Sequence, residues 1–367
     1  MKIAFDHQAF TWQSYGGMSR SFTILAHELS KLRQDVNIFA GIYRNHYLNQ
    51  LPKDLVTGFP LKKYPLKSVK FFHYLNHFSM NRVIKAWKPN IIHETYYSFL
   101  TPLTYDCVRV ATVYDMIHEI FPEMFKKDNP STEWKKGTLN RVDHIISISN
   151  STKKDLIDIF GINEKKISVV HLCVDPSFAK LSQLEPIPLN TKPYILYVGV
   201  REGYKNFNQL LKSFSKSKNL MKDFNVIAFG GPKFSSTENK LMNDLGFSEG
   251  QIIHILGNDN LLGAYYSQAR AFVYPSLYEG FGIPPLESMA YGCPVISSNT
   301  SSMPEVIGDA AEFFDPTSCD DMLRALEAVV YSDSKIQILK DRGEKRLAHF
   351  SPQKFAQGTL SVYKSIL

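Results

Sequence analysis

The chain has 367 residues, 44% of them hydrophobic and 21% charged, which excludes a disordered or fibrous polypeptide. That length exceeds the ~250–300 residues at which a single core usually stops growing, so two domains are expected. The net charge of +7 is uneven: residues 1–183 carry 24 lysines and arginines against 16 acids (+8), and the remainder carries 18 against 19 (−1). The first half is therefore expected to meet something anionic, be it nucleic acid, a membrane surface or a phosphorylated substrate.

In chain order, Met1-Lys2-Ile3-Ala4-Phe5-Asp6 reaches an acid too early for a signal peptide and reads as a first strand at residues 2–5. No segment offers ~18 uninterrupted apolar residues, so no spanning helix is expected and a cytoplasmic protein is. The loop Ser14-Tyr15-Gly16-Gly17 follows, then residues 19–32, where Phe22, Leu25, Ala26 and Leu29 recur at helical spacing. Residues 35–40, 91–93, 108–113 and 144–148 read as strands, the last entering a helix at 149–160. Residues 180–192 break the rhythm, and the proline-rich stretch 184–190 reads as a linker. The alternation then restarts with strands at 194–198, 226–229, 252–256, 271–274 and 294–297 and a helix at 208–215; residues 351–367 read as one amphipathic helix. Strands alternating with helices predict parallel, doubly wound α/β sheets. The expected divisions are 1–183, 184–350 and a final helix at 351–367. Cys107, Cys173, Cys293 and Cys319 lie outside metal-ligand and redox-motif spacing and read as reduced thiols.

One stretch carries most of the chemistry: Tyr274-Pro275-Ser276-Leu277-Tyr278-Glu279-Gly280-Phe281-Gly282-Ile283-Pro284-Pro285-Leu286-Glu287. A buried strand ends near Pro275 and a glycine-rich loop follows. Pro284-Pro285 suits the first turn of a helix, and Gly292 suits its end. Glycines let a ligand approach the backbone, and a helix N-terminus offers N–H groups and a positive dipole end to an anion. A glutamate near a helix start also favours the dipole with no ligand at all, so both readings of Glu279 and Glu287 stand on the residues alone. Gly280-Phe281-Gly282 lacks the third glycine of a dinucleotide fingerprint, because Pro285 stands there.

The segment resembles the donor-binding motif of the retaining GT-B glycosyltransferases of family 4, in which two glutamates are separated by seven residues. The resemblance extends over nearly the whole chain. Tyr15-Gly16-Gly17-Met18-Ser19-Arg20 resembles the family's N-terminal glycine loop. Ile148-Ser149-Asn150-Ser151, Val174-Asp175-Pro176 and Pro304-Glu305-Val306 match further landmarks, and Tyr197-Val198-Gly199-Val200-Arg201-Glu202-Gly203-Tyr204-Lys205-Asn206 resembles its basic phosphate motif. The fold this implies is GT-B, two Rossmann-like domains facing each other across a cleft, with the final helix crossing back to the first domain.

The resemblance also implies roles. Arg201 and Lys205, beyond a strand that ends in Gly199, would hold the donor pyrophosphate. Glu287 would accept from the ribose hydroxyls and Glu279 would contact the donor sugar. Gly280, Phe281 and Gly282 would line the pocket through their backbone, and Gly16 and Gly17 would let the first domain close onto the phosphates. Relatives carry His-Asp after the strand equivalent to 108–113, where this chain has Tyr114-Asp115 with His118 three residues on. Asp115 is a candidate base or orienting group on the acceptor side, and His118 a candidate substitute for the absent histidine.

Two basic groups aimed at a leaving nucleoside diphosphate need no metal, and no two aspartates here are separated by a single residue, so neither metal nor cofactor is expected. Retention follows from the resemblance, and the nucleophile of a double displacement is not evident, so same-face attack is the working mechanism. Resemblance to polysaccharide and O-antigen mannosyltransferases implies GDP-mannose as donor and a glycan or lipid-linked glycan as acceptor. A sugar-nucleotide epimerase of the same fold is the rival enzyme. A nucleic-acid-binding protein is the rival of another class, although the basic residues accompany no helix-turn-helix, zinc or RNA-recognition signature, and no nucleic-acid partner is expected. In residues 61–82, Lys62, Lys63, Lys67, Lys70 and Arg82 interleave with Tyr64, Phe71, Phe72, Tyr74 and Phe78, with no acid among them. That pattern suits peripheral attachment to the anionic inner leaflet, and equally a solvated face over a buried aromatic stripe.

Overall fold

A computed structural model of the chain describes residues 1–100, 106–174, 187, 192–201 and 203–367. Asp175, Pro176, Glu202 and, apart from Ile187, the expected linker at 184–190 lie outside the described residues. The chain divides into two compact units, Met1–Cys173 with Pro352–Leu367, and Val174–Ser351.

The first unit is built on seven parallel strands: β1 (Lys2–Phe5), β2 (Asp35–Tyr43), β3 (Val56–Pro60), β4 (Ile91–Glu94), β5 (Val108–Val113), β6 (His144–Ser147) and β7 (Ile167–Val169). Their order is β3-β2-β1-β4-β5-β6-β7. Ile3, Ala4 and Phe5 are fully buried, the mark of a strand covered on both faces. The helix Gly17–Lys31 buries Phe22, Leu25, Ala26 and Leu29, and the helix Pro352–Ser365 packs beside it. Tyr363 of that last helix places its hydroxyl 2.5 Å from His93 Nδ1 on β4.

The helix Val69–Trp87 reverses the usual arrangement. Its buried residues are His73, Asn76, His77, Asn81 and Ile84, whereas Phe71 and Phe78 are 63% and 62% exposed. The polar inward face has work to do: Asn76 accepts from the Ile42 N–H at 2.8 Å and donates to the Ile42 carbonyl at 2.8 Å. Tyr64, expected among the surface aromatics, is buried, with its ring stacked on Phe72 at 4.2 Å and its hydroxyl donating to the Ile42 carbonyl.

The second unit holds six parallel strands, β8 (Tyr194–Val198), β9 (Asn225–Phe229), β10 (Ile252–Ile255), β11 (Ala271–Tyr274), β12 (Val295–Ser298) and β13 (Ala311–Phe314), in the order β10-β9-β8-β11-β12-β13. One face of this sheet, with Ile195, Tyr197, Val226, Ala228 and Val273, closes over the helices Phe207–Ser215 and Cys319–Val330 in a single apolar core.

Candidate active site

Each sheet reverses its strand order once, between β1 and β4 and between β8 and β11. In open α/β sheets ligands bind outside the carboxyl ends of the strands at that point. In the second unit the two loops leaving this point carry most of the expected donor-site residues. Beyond β8, Gly199 adopts a left-handed φ of +124°, and the chain turns through Gly203–Lys205 into the helix Phe207–Ser215. Asn206, at φ +58°, donates from Nδ2 to the carbonyls of Pro275 (3.0 Å) and Pro316 (2.9 Å), and Leu277 N–H donates to the Tyr204 carbonyl at 2.7 Å. The β8 and β11 loops are thereby clamped together.

The clamp brings Lys205 Nζ to 2.7 Å from Glu279 Oε1, residues 74 positions apart in sequence. Lys205 also lies over the rings of Tyr204 and Tyr274, at 5.3 and 5.6 Å. Glu279 is 8% exposed. Burial, then the neighbouring Glu279 carboxylate, hold the Tyr274 phenol protonated well above its ordinary range. The glycine loop is fixed from the next crossover. Glu279 N–H donates to Ser301 Oγ at 2.9 Å, and Ser302 Oγ lies 2.8 Å from the carbonyls of Glu279 and Phe281.

Arg201 is engaged within the chain. Its guanidinium is buried and committed in this conformation: Nε donates to Glu238 Oε1 at 2.7 Å, Nη1 to the Gly230 carbonyl at 3.2 Å and Nη2 to the Pro232 carbonyl, over the face of Phe234. It stitches the β8 and β9 loops together, and the cation standing beside Glu279 is Lys205.

Gly282 caps the helix Ile283–Ala290 at φ +112°, a conformation that favours glycine, and Glu287 sits in the second turn at 9% exposure. Pro284 and Pro285 follow Ile283 and carry no N–H, so the amides offered at this helix start are those of Gly282 and Ile283 rather than a full first turn. Gly280 and Phe281 lie between the two glutamates, and Phe281 is buried edge-on against Phe350 at 5.6 Å.

In the first unit Gly16 caps the helix Gly17–Lys31 in an extended conformation, and Ser19 Oγ donates to its carbonyl at 3.1 Å. Asp115 follows β5, and its Oδ1 accepts from Ile117 N–H at 3.2 Å. A fully buried lysine that the sequence reading missed, Lys135, donates to the Asp115 carbonyl at 2.9 Å and pairs with Glu119 at 2.7 Å. Its only signal was position in a polar helix, which does not separate it from a solvated neighbour. His118 stacks on Phe125 at 4.0 Å; burial first and Lys135 second lower its pKa, leaving the ring neutral near pH 7. Among the described residues no three His, Cys, Asp or Glu side chains converge as metal ligands.

Residues 15–178 match the family model described as Glycosyltransferase Family 4, and residues 182–346 match Glycosyl transferases group 1. The O-antigen chain mannosyltransferase B of Escherichia coli is 30% identical over 266 residues, 70% of this chain and 70% of that protein. The O-antigen chain mannosyltransferase RfbU of Salmonella typhimurium is 27% identical over 255 residues, 68% of each chain. In fold, the chain is similar to a glycosyltransferase structure from Rickettsia africae, with a TM-score of 0.71 at 19% identity, covering 100% of this chain and 98% of that one. Two sheets in Rossmann order together with both family matches define a glycosyltransferase, and the structural likeness gives its fold as GT-B. The chain belongs to glycosyltransferase family 4.

Proposed function

We propose that this chain transfers mannose from GDP-mannose to a glycan or lipid-linked glycan in surface polysaccharide synthesis, with retention of configuration and without a metal ion. The observation that carries the reading is the Lys205–Glu279 pair at the switch point of the second sheet, with Glu287 on the helix that follows. The named activities of the O-antigen mannosyltransferase relatives support the sugar and the pathway class.

Departure of the nucleoside diphosphate places negative charge on a phosphate oxygen while the anomeric carbon becomes electron-poor. An ammonium already fixed at that oxygen needs no reorganisation, and one such contact is worth ~3 kcal/mol. Lys205 is held ready by Glu279. On donor binding its ammonium turns to the phosphate, and Glu279 accepts from a hydroxyl of the transferred sugar. Glu287 accepts from the ribose diol. The acceptor hydroxyl attacks from the face the phosphate leaves; the bond from the anomeric carbon to phosphate oxygen breaks, the bond to acceptor oxygen forms, and the hydroxyl proton passes to the departing phosphate. Asp115 and His118 orient the acceptor. Arg201 shapes the loop that carries Lys205.

Peripheral attachment to an anionic leaflet through residues 61–82 belongs to the same reading. Its support is the helix Val69–Trp87, whose exposed Phe71 and Phe78 share one stretch of sequence with exposed Lys62, Lys63, Lys67 and Lys70 and with Leu66, which is 89% exposed. Water-facing aromatics among cations match a headgroup region. Among the described residues no helix is long and apolar enough to cross a membrane.

Thermal-shift screening with GDP, UDP, ADP and their sugars tests the donor. The correct nucleotide at ~100 times its dissociation constant adds ~2.7 kcal/mol and stands out. Transfer is expected to survive EDTA; loss on chelation with recovery in Mn²⁺ contradicts the metal-free mechanism.

A further inference from the structure

In the second unit β12 ends in a hydroxyl-rich stretch, Ser297-Ser298-Asn299-Thr300-Ser301-Ser302, and four of its hydroxyls meet the backbone of the loop that leaves β11. Ser298 Oγ donates to the Ser276 carbonyl at 2.7 Å, and Thr300 Oγ1 to the Leu277 carbonyl at 2.9 Å. Ser301 Oγ accepts from the Glu279 N–H at 2.9 Å, and Ser302 Oγ lies 2.8 Å from the carbonyls of both Glu279 and Phe281. The N–H and the carbonyl of Glu279 are therefore both engaged, by two adjacent serines. Ser298 and Ser302 are fully buried, where water does not compete for these bonds.

Ser301 stands at a left-handed φ of +47°. Residues with a Cβ rarely take that conformation, and it costs free energy that the surroundings must offset. Among the described residues five other than glycine have a positive φ, and two of them, Asn206 and Ser301, bond the loop at 275–281 directly. A glycine at 301 would take the same φ without strain, but it would leave the Glu279 N–H without this acceptor. The strain thus goes with the hydroxyl and with the residue that hydroxyl holds. In the transfer proposed above, Lys205 turns from Glu279 to the departing phosphate. From that moment the aim of the carboxylate depends on the backbone that carries it, and a misplacement of about 1 Å can cost a factor of about 100 in rate.

We propose that Ser301 is a positioning residue for Glu279: its left-handed backbone sets a hydroxyl against the Glu279 N–H, Ser302 holds the carbonyl of the same residue, and the two keep the carboxylate aimed at the donor sugar while Lys205 leaves it. The proposal rests on the reading of Glu279 as the donor-sugar carboxylate. Glu287 sits on the next element, the helix Ile283–Ala290, so the hold on the nucleoside is expected to be independent of Ser301.

The test is Ser301→Gly in the full chain, a substitution that suits the φ and removes the hydroxyl. It reads melting temperature, amide exchange at Glu279 in the ligand-free chain, GDP affinity by calorimetry and the rate of mannosyl transfer. Expected are a melting temperature within a few degrees of the wild type, faster exchange at Glu279, unchanged GDP affinity and transfer slowed at least tenfold. In a Glu279→Ala chain the same substitution should change the residual rate less than twofold, because it acts through that carboxylate. Wild-type transfer in Ser301→Gly, unchanged exchange at Glu279, or a loss that multiplies with that of Glu279→Ala overturns the proposal. So does a chain that melts well below the wild type and loses GDP along with transfer, which makes the serine a structural support. If the wild type binds neither GDP nor GDP-mannose, the donor reading fails by itself. The exchange arm then still decides whether Ser301 holds Glu279: faster exchange keeps the clamp and unchanged exchange removes it.

Discussion

Arg201 and Lys205 stand on one loop and have different partners. Lys205 pairs with Glu279, whereas the buried Arg201 is engaged by Glu238 and two carbonyls. Lys205→Ala is therefore expected to slow transfer by about two orders of magnitude. Arg201→Ala is expected to act first on stability, by about 2–4 kcal/mol, because it strands a partly buried carboxylate and two loop carbonyls. Melting temperature and GDP affinity measured on both variants check this; an Arg201→Ala chain that melts normally but loses GDP makes Arg201 a phosphate ligand after all. The sequence made Glu279 and Glu287 conspicuous because a glycine loop and a proline-started helix frame them. It did not link Arg201 to Glu238, because a partner 37 positions away leaves no local spacing to read.

At the scale of elements, the strands nearest the switch points were the most legible. β8 and β11 run as expected at 194–198 and 271–274, since strands buried on both faces are nearly all apolar. The strands β3, β7 and β13 were not foreseen, and all three lie at sheet edges. Val56-Thr57-Gly58-Phe59-Pro60 contains both strand-weakening residue types, β7 has three residues, and Ala311-Glu312-Phe313-Phe314 carries a charge. The helix Val69–Trp87 misleads for another reason. Phe71, Leu75 and Phe78 face out, while His73, Asn76, His77 and Asn81 share the inward face with Ile84, so hydrophobic spacing does not mark the buried side. Each cation near an anionic surface is worth about 1 kcal/mol, so salt-sensitive binding to phosphatidylglycerol vesicles is expected. Replacing Lys62, Lys63, Lys67 and Lys70 with glutamate should abolish vesicle co-sedimentation and leave the GDP thermal shift unchanged. Wild-type chain that ignores such vesicles at low salt removes the membrane surface from the account.

For the molecule as a whole, the two units are expected to answer acid differently. His7, His73, His93, His118 and His144 are all held below the usual histidine range, burial being the first cause in each, with His73 near 4 and His93 near 3. All five lie in the first unit. Folded, they bind fewer protons than the unfolded chain, so their contribution is present above pH ~6.5 and drains away as pH falls toward their folded values. Asp6 and Glu94, raised by burial, act in the opposite sense and offset part of the loss. In the second unit, burial at Glu238 and Glu312 is outweighed by bonds from Arg201 and Ser235 and from Lys335 and Arg324, and both carboxyls are lowered. Their contribution is lost only below their ordinary value of 4.5. Between pH 7 and 5.5, amide-exchange protection, corrected for intrinsic rates, is expected to fall in residues 1–173 before 174–351. Parallel loss in both contradicts the assignment.

The central claim, that the second unit splits its donor between a carboxylate for the sugar and a carboxylate for the nucleoside, is tested most directly by one paired measurement. GDP affinity by calorimetry and mannosyl transfer rate are taken together for Glu279→Ala and Glu287→Ala. Glu279→Ala should keep GDP affinity and lose turnover. Glu287→Ala should lose about 1.5–3 kcal/mol of GDP affinity, the worth of a charged acceptor to a ribose diol. The opposite pattern, GDP affinity collapsing in Glu279→Ala while Glu287→Ala binds normally, contradicts the account.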